Sequence, residues 1–493
     1  MPLVLSGNSQ TRFLTLFRTW PNIPESLRAY MKNHRMNLFR VAFALIACGA
    51  LAPTFQAQTS GAKDSASSKS AETTASSAAP SGSAQGKTAT ELFEDANSYA
   101  RKKFEAFEKL KMPYDDQLKV KIEREQLELA GRYATTLAAR KLSGQDVYYL
   151  GMLYNLAGKT EGAYETMQRF LRDNPDTSGE PAQNARAIVI INAAKKGALA
   201  EAENRLQQYA ADQPQVAEDR YALENWLVVS YFNAQNFEKA LPHAQQLWLA
   251  AQSAAKQKRW SARDAMLNDA AVSISEINLK LKKKDNAIAV IQDLRRLAIS
   301  LPSGNLYKLA LRRLLQIDPN IDFLKSIEEF TPTARTPPDF TAAEWIDGQP
   351  TKLADLSGQV VLLDFWATWC GPCRATLPRF EKFYQRYKNQ GFVVIGLTTY
   401  QGNAEGKQLT HSQELQYLRD FKKQFGVTYG FAISNSDDND LNYAVSSIPT
   451  TFLIDRSGRV RFISIGSSDV EGAALEKMIK KLIEESPPKN TEN

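Results

Sequence analysis

At 493 residues the chain exceeds one ordinary domain, and at roughly 150 residues per domain it should hold about three. Hydrophobic residues at 43% and charged residues at 23% lie near the globular average, which excludes a disordered chain and a polytopic membrane protein. The net charge of +7 is spread along the chain, so nucleic acid is not an expected partner; three cysteines and three histidines rule out a disulfide scaffold and leave little for a metal site.

Residues 36–55 read as an export signal. Arg40 supplies a positive start, and residues 41–52 form an apolar run too short to span the roughly 30 Å of bilayer hydrocarbon as a helix. The residues before Met31 carry no pattern, so translation is expected to start at Met31 or Met36, and the signal region is assigned to residues 1–57. Leu45-Ile46-Ala47-Cys48 resembles a bacterial lipobox, which implies a lipid anchor on Cys48. The run continues past Cys48 to Ala52, as in a signal cleaved near Ala57, and both readings stay open. Either one puts the protein outside the cytoplasm, in the periplasm or cell envelope, where thiols are not kept reduced.

Residues 58–90 are nearly all Ser, Ala, Thr, Gly and Lys, with too little apolar surface to offset chain entropy, and are expected to be a disordered tether. From 91 to 330 the composition and the spacing of apolar residues are helical. Leu150-Gly151, Tyr154, Gly158, Ala163, Phe170 and Pro175 fall at the spacings of the 34-residue tetratricopeptide (TPR) repeat, which the region resembles. Small residues at Gly151 and Ala163 let paired helices approach, Tyr154 and Phe170 fill the space between hairpins, and Pro175 ends the second helix. Weaker copies follow at Ala202, Tyr209 and Pro214, then at Leu227, Tyr231, Phe237 and Ala240. Such an array offers a concave face for a protein partner; the plainer reading is a spacer. Its Tyr and Trp residues are expected to be repeat core, and His243 to be structural.

Residues 331–338 contain three prolines and no helical period, and are read as a linker. The pattern then changes. Ile346-Asp347-Gly348-Gln349 has the composition of a hairpin turn, residues 360–365 form a continuous apolar run of the buried-strand kind, and further strands are expected at 392–400 and 431–434. This predicts an α/β domain over 339–486, followed by a tail at 487–493.

Val360-Val361-Leu362-Leu363-Asp364-Phe365-Trp366 leads into Trp369-Cys370-Gly371-Pro372-Cys373. With Pro378, the Ile448-Pro449-Thr450-Thr451-Phe452 strand, Gly458 and Gly466, this segment resembles the thioredoxin superfamily, in particular its TlpA/ResA-like branch of exported thiol-disulfide oxidoreductases. The fold expected is therefore multidomain, an all-α TPR-like solenoid followed by an α/β thioredoxin-fold domain.

The resemblance implies catalytic roles for Cys370, Cys373 and Asp364, and a Cys370–Cys373 disulfide in the oxidised state. Cys370, at a helix N-terminus that favours a thiolate, would attack; Cys373, one turn on, would resolve the mixed disulfide. Asp364 matches the buried acid of thioredoxins and should have a raised pKa through desolvation, with no Lys on the following strand beside it. Pro449 resembles the family's cis-proline, and Trp369, Gly371, Pro372, Ile448 and Pro449 would form the substrate-docking surface. Many relatives carry Glu soon after the second cysteine, whereas Arg374-Ala375-Thr376-Leu377 has none.

A zinc site would need a second cysteine pair, and haem attachment would need His where Arg374 stands; no metal or cofactor is expected. The Gly-Pro dipeptide resembles thioredoxin, whose potential of about −270 mV is that of a reductant. Protein disulfides are then the expected clients, and a membrane donor of the DsbD/CcdA type the expected electron source. The alternative is a TPR-based binding scaffold with the thioredoxin fold as a docking module, a reading that a fully functional Cys370→Ser variant would favour.

Overall fold

The computed structural model describes residues 86–256, 258–322, 324–325 and 336–485. The expected export signal, Cys48, most of the tether, residues 331–335 of the linker and the 487–493 tail lie outside them. The protein is multidomain, with a helical N-terminal region followed by a mixed-sheet thioredoxin-like domain. By compactness it divides at Asn236/Phe237 into two units.

The first unit contains α1 (Ala89–Lys109), α2 (Asp116–Ala138), α3 (Gln145–Leu156), α4 (Thr160–Asp173), α5 (Gly179–Lys195), α6 (Leu199–Ala211) and α7 (Ala217–Asn233). α1 opens on a capping box in which Thr88 and Glu91 satisfy each other's backbone N–H. α3 and α4 turn on Gly158, whose φ of 70° an L side chain resists. The two helices approach so closely at Gly151 that a Cβ there would lie 2.8 Å from Met167. Ala163, Met167 and Phe170 are buried between them. The small residues thus act as the sequence pattern requires, and successive helix pairs are consistent with repeats.

The second unit begins with α8 (Phe237–Ala255), α9 (Trp260–Lys280), α10 (Lys284–Ser300) and α11 (Gly304–Ile317). The sheet follows, with β1 (Glu344–Ile346), β2 (Val360–Phe365), β3 (Phe392–Thr399), β6 (Gly430–Ser434), β7 (Thr450–Ile454) and β8 (Val460–Ile465) in the order β1-β6-β3-β2-β7-β8. β4 (Asn403–Ala404) and β5 (Lys407–Gln408) form a separate short hairpin. The remaining helices are α12 (Gly371–Tyr387), α13 (His411–Gln424), α14 (Asp438–Asn442) and α15 (Asp469–Glu484). β2 lies between parallel β3 and antiparallel β7 with every residue buried, which is why it reads as an unbroken apolar run. α10 and α11 pack against β8, with the Tyr307 ring edge-on to Phe462 at 6.3 Å. The Pro-rich stretch at 331–338 therefore falls within the second unit, between helices and sheet that pack together.

One expectation is corrected. Ile346-Asp347-Gly348-Gln349 is not a hairpin turn, because β1 ends at Ile346 and pairs with β6. Asp347 is instead drawn to α13, where the buried Lys422 ammonium donates to its carboxylate at 2.7 Å. Gly348 passes so close to Gly430 that a Cβ on Gly430 would lie 3.4 Å from the Gly348 Cα. Among the described residues no helix is long and apolar enough to cross a membrane.

Candidate active site

Chain leaving the C-terminal end of β2 folds into the N-terminus of α12, and the two cysteines sit at that junction. Cys370 is the N-cap residue, in extended backbone conformation, and Pro372 occupies the first turn, where a missing N–H costs nothing. Cys370 and Cys373 form a disulfide. The Cys373 N–H, one of the donors a helix start leaves without an acceptor, points at the Cys370 sulfur over 3.2 Å. Cys373 is fully buried, Cys370 is 4% exposed, and Gly371 and Pro372 are exposed beside them. Trp369 is 62% exposed, and its indole N–H donates to Gln401 Oε1 at 3.1 Å. Arg374 donates to the Thr368 carbonyl at 2.6 Å.

Asp364 is fully buried on β2. Burial pushes its carboxyl from 3.8 up to about 7, and a hydrogen bond from Thr451 Oγ1 at 3.3 Å only partly opposes this. The neighbouring position on β3 is Gly396, so no lysine stands there; the partner comes from β7, where Thr451 is directly opposite Asp364. The other oxygen of Asp364 has no hydrogen-bond partner among the described residues. Tyr429 is near enough for the charge of Asp364 to add to the effect of burial in raising its phenol.

The Ile448–Pro449 peptide is cis. Because Phe365 pairs with Thr450, the register sets Pro449 just beyond the end of β2 from which the cysteine loop departs. Its carbonyl accepts from Gly466 N–H at 3.0 Å and the Ser447 carbonyl from Thr450 Oγ1 at 2.6 Å, whereas among the described residues no hydrogen bond engages the Ile448 backbone. The fold therefore brings Trp369, Cys370, Gly371, Pro372 and Cys373 together at one junction, buries Asp364 one residue before the end of the strand that leads to it, and leaves Ile448 and Pro449 on the adjoining strand end. Two contacts escaped the sequence reading. Thr451 lay inside the quoted motif, and Gln401 carried no signal beyond its position just after a strand.

The AhpC/TSA family model matches residues 334–463, a span that includes β1–β7, the first part of β8 and both cysteines but none of α1–α11. Thiol-disulfide oxidoreductase ResA of Geobacillus thermodenitrificans is 31% identical over 136 residues, covering 28% of this chain and 71% of its own length. The chain belongs to the ResA-like thiol-disulfide oxidoreductases. Another relative is the thioredoxin-like protein YneN of Bacillus subtilis, 32% identical over 26% of this chain and 69% of the relative. A solved thioredoxin-family thiol:disulfide interchange protein from Chlorobium tepidum TLS is 25% identical over 30% of this chain and 95% of its own, with a TM-score of 0.24. As a ResA-like enzyme the protein exchanges electrons between thiols and disulfides.

Proposed function

We propose that this ResA-like protein works outside the cytoplasm as a reductase of protein disulfides through Cys370 and Cys373, with residues 91–330, read as TPR-like repeats, binding a client or partner. The observation that carries the reading is the cysteine pair at the start of α12, with a helix N–H aimed at Cys370, together with a buried Asp364 on the preceding strand whose carboxyl is pushed up to about 7, where its ionised form can take a thiol proton.

In the reductive direction the Cys370 thiolate attacks one sulfur of a client disulfide. The client S–S bond breaks, a Cys370–client bond forms, and the second client sulfur leaves as a thiolate. Cys373 then gives its proton to Asp364 and attacks the Cys370 sulfur. The client departs with both sulfurs reduced, and the enzyme holds the Cys370–Cys373 disulfide present in this structure. Two electrons must return from another dithiol, for which a membrane donor of the DsbD/CcdA type is the candidate. The apolar surface of Trp369, with Gly371, Pro372, Ile448 and cis-Pro449, would receive the client, the unpaired Ile448 backbone offering strand-like hydrogen bonds. The export signal, the tether ahead of α1 and the anchor at Cys48 belong to the same reading.

The deciding experiment is the reduction potential of the Cys370–Cys373 pair, equilibrated in thiol buffers and followed by Trp366 and Trp369 fluorescence. A reductase is expected near thioredoxin's value of about −270 mV. A potential above about −180 mV, in the range of isomerases and oxidants, overturns the direction.

A further inference from the structure

The substrate-docking loop before Pro449 is held from outside the thioredoxin-like domain. The Ser303-Gly304-Asn305 turn between α10 and α11 donates two backbone N–H groups into it, Gly304 to the Tyr443 carbonyl at 3.0 Å and Asn305 to the Ala444 carbonyl at 2.8 Å. Both donors belong to the first turn of α11, where a helix has no acceptors of its own for them. Ala444 has a φ of 47°, a conformation an alanine rarely adopts, and its carbonyl is one of the two that accept these bonds.

The turn approaches the sheet as well as the loop. A Cβ on Gly304 would lie 3.1 Å from Thr450 Cγ2 and 3.5 Å from the Phe452 ring, which puts the helix start against the first residues of β7 directly after Pro449. The turn is itself clamped. Asp264, fully buried on α9, accepts from Ser303 Oγ at 2.6 Å and from Asn305 Nδ2 at 3.2 Å, and its other oxygen is paired with Arg263 at 2.9 Å. Ser303 Oγ in turn accepts from the Leu306 N–H. Farther along, buried Arg295 donates to the Tyr307 hydroxyl at 2.7 Å while the Tyr307 ring rests on Phe462 of β8. The loop's own side is pinned by Tyr443, whose hydroxyl donates to the Pro338 carbonyl at 2.6 Å.

We propose that the Ser303-Gly304-Asn305 turn is a positioning element for the Ile448–Pro449 substrate loop, so that helices α9–α11 are a working part of the catalytic unit. This rests on the reading above that Ile448 and Pro449 receive the client. The turn touches neither sulfur. Its influence is on where the docking backbone stands, and hence on recognition of an extended protein substrate rather than on the chemistry of the dithiol.

The test compares Gly304→Pro with Gly304→Ala in the full-length mature protein. Both add a Cβ against Thr450; only proline removes the N–H donor, and proline suits the first position of a helix preceded by extended Ser303. Insulin serves as the protein disulfide, hydroxyethyl disulfide as the small one, with the reduction potential measured alongside. The expected result is a KM for insulin raised about tenfold by Gly304→Pro and no more than about twofold by Gly304→Ala. The rate with hydroxyethyl disulfide and the potential stay unchanged in both. Asp264→Asn, which loosens the turn from the far side, should move the insulin KM in the same direction. An unchanged insulin KM in Gly304→Pro and Asp264→Asn, equal effects of proline and alanine, or equal losses with both disulfides overturns the proposal. Pro449→Ala separates this from the reading beneath it: if that variant leaves the insulin KM untouched, the assignment of Ile448–Pro449 as the docking site fails first.

Discussion

Replacing Asp364 by Asn removes a titration that the fold itself creates. Burial holds the carboxyl at about 7 against 3.8 for the free side chain, so between about pH 4 and pH 7 the folded protein keeps a proton that the unfolded chain has released. With more protons bound to the folded state, stability falls as pH rises through that window and is level on either side of it. A shift of about three units amounts to on the order of 4 kcal/mol. The substitution has its own cost. One carboxyl oxygen accepts from Thr451 and the other has no partner among the described residues, so an amide would bury an unpaired NH2 at about 1–3 kcal/mol. Asp364→Asn should therefore be less stable than the natural protein at pH 4 by about 1–3 kcal/mol and more stable at pH 8 by a similar amount. Urea denaturation of the oxidised protein at pH 4, 6 and 8 measures this, followed by the fluorescence of Trp366, which stacks on Phe421 in the same core. A stability difference that does not change between pH 4 and pH 8 would refute the reasoning.

Gly396→Ala should cost about 1–3 kcal/mol, because the new methyl would lie 2.8 Å from the Phe431 ring and 2.9 Å from the Trp366 indole nitrogen, both fixed by mutual aromatic packing; an unmoved urea midpoint would contradict this. Trp369→Ala should leave stability within about 0.5 kcal/mol, since the ring is largely exposed, while raising the KM for a protein disulfide several-fold. A loss of stability without a change in KM would recast Trp369 as structural.

The parts of the fold legible in the sequence were those written in local pattern. β2 stood out as an apolar run and β3 and β6 as strands close to their observed bounds, and the cysteine pair at the opening of α12 was marked by its Trp, Gly and Pro neighbours. What stayed hidden depends on residues distant in the chain. Thr451 becomes the partner of Asp364 only through the register of β2 with β7, across 87 positions. Asp347-Gly348 carries the chemistry of a tight turn, yet the strand before it pairs with β6 and the Asp347 carboxylate is held by Lys422, 75 positions on. The Pro-rich stretch marked a change of composition and left open whether the helices before it pack on the domain after it. Whether packing stops depends on contacts such as that of Gly304 with Tyr443, which leave no trace in composition.

The position of β8 has a consequence for handling the molecule. It is an edge strand of the sheet, six residues long and buried at all but its last position, with α10 and α11 packed against it. The opposite edge, β1, is only three residues long. Long apolar edges are templates for pairing between molecules, and proteins commonly shorten or cover them. A fragment cut at the proline-rich stretch would bare the Phe452 and Phe462 rings that α11 covers, beside an edge strand, and invite self-association, whereas one cut before Phe237 would keep them covered.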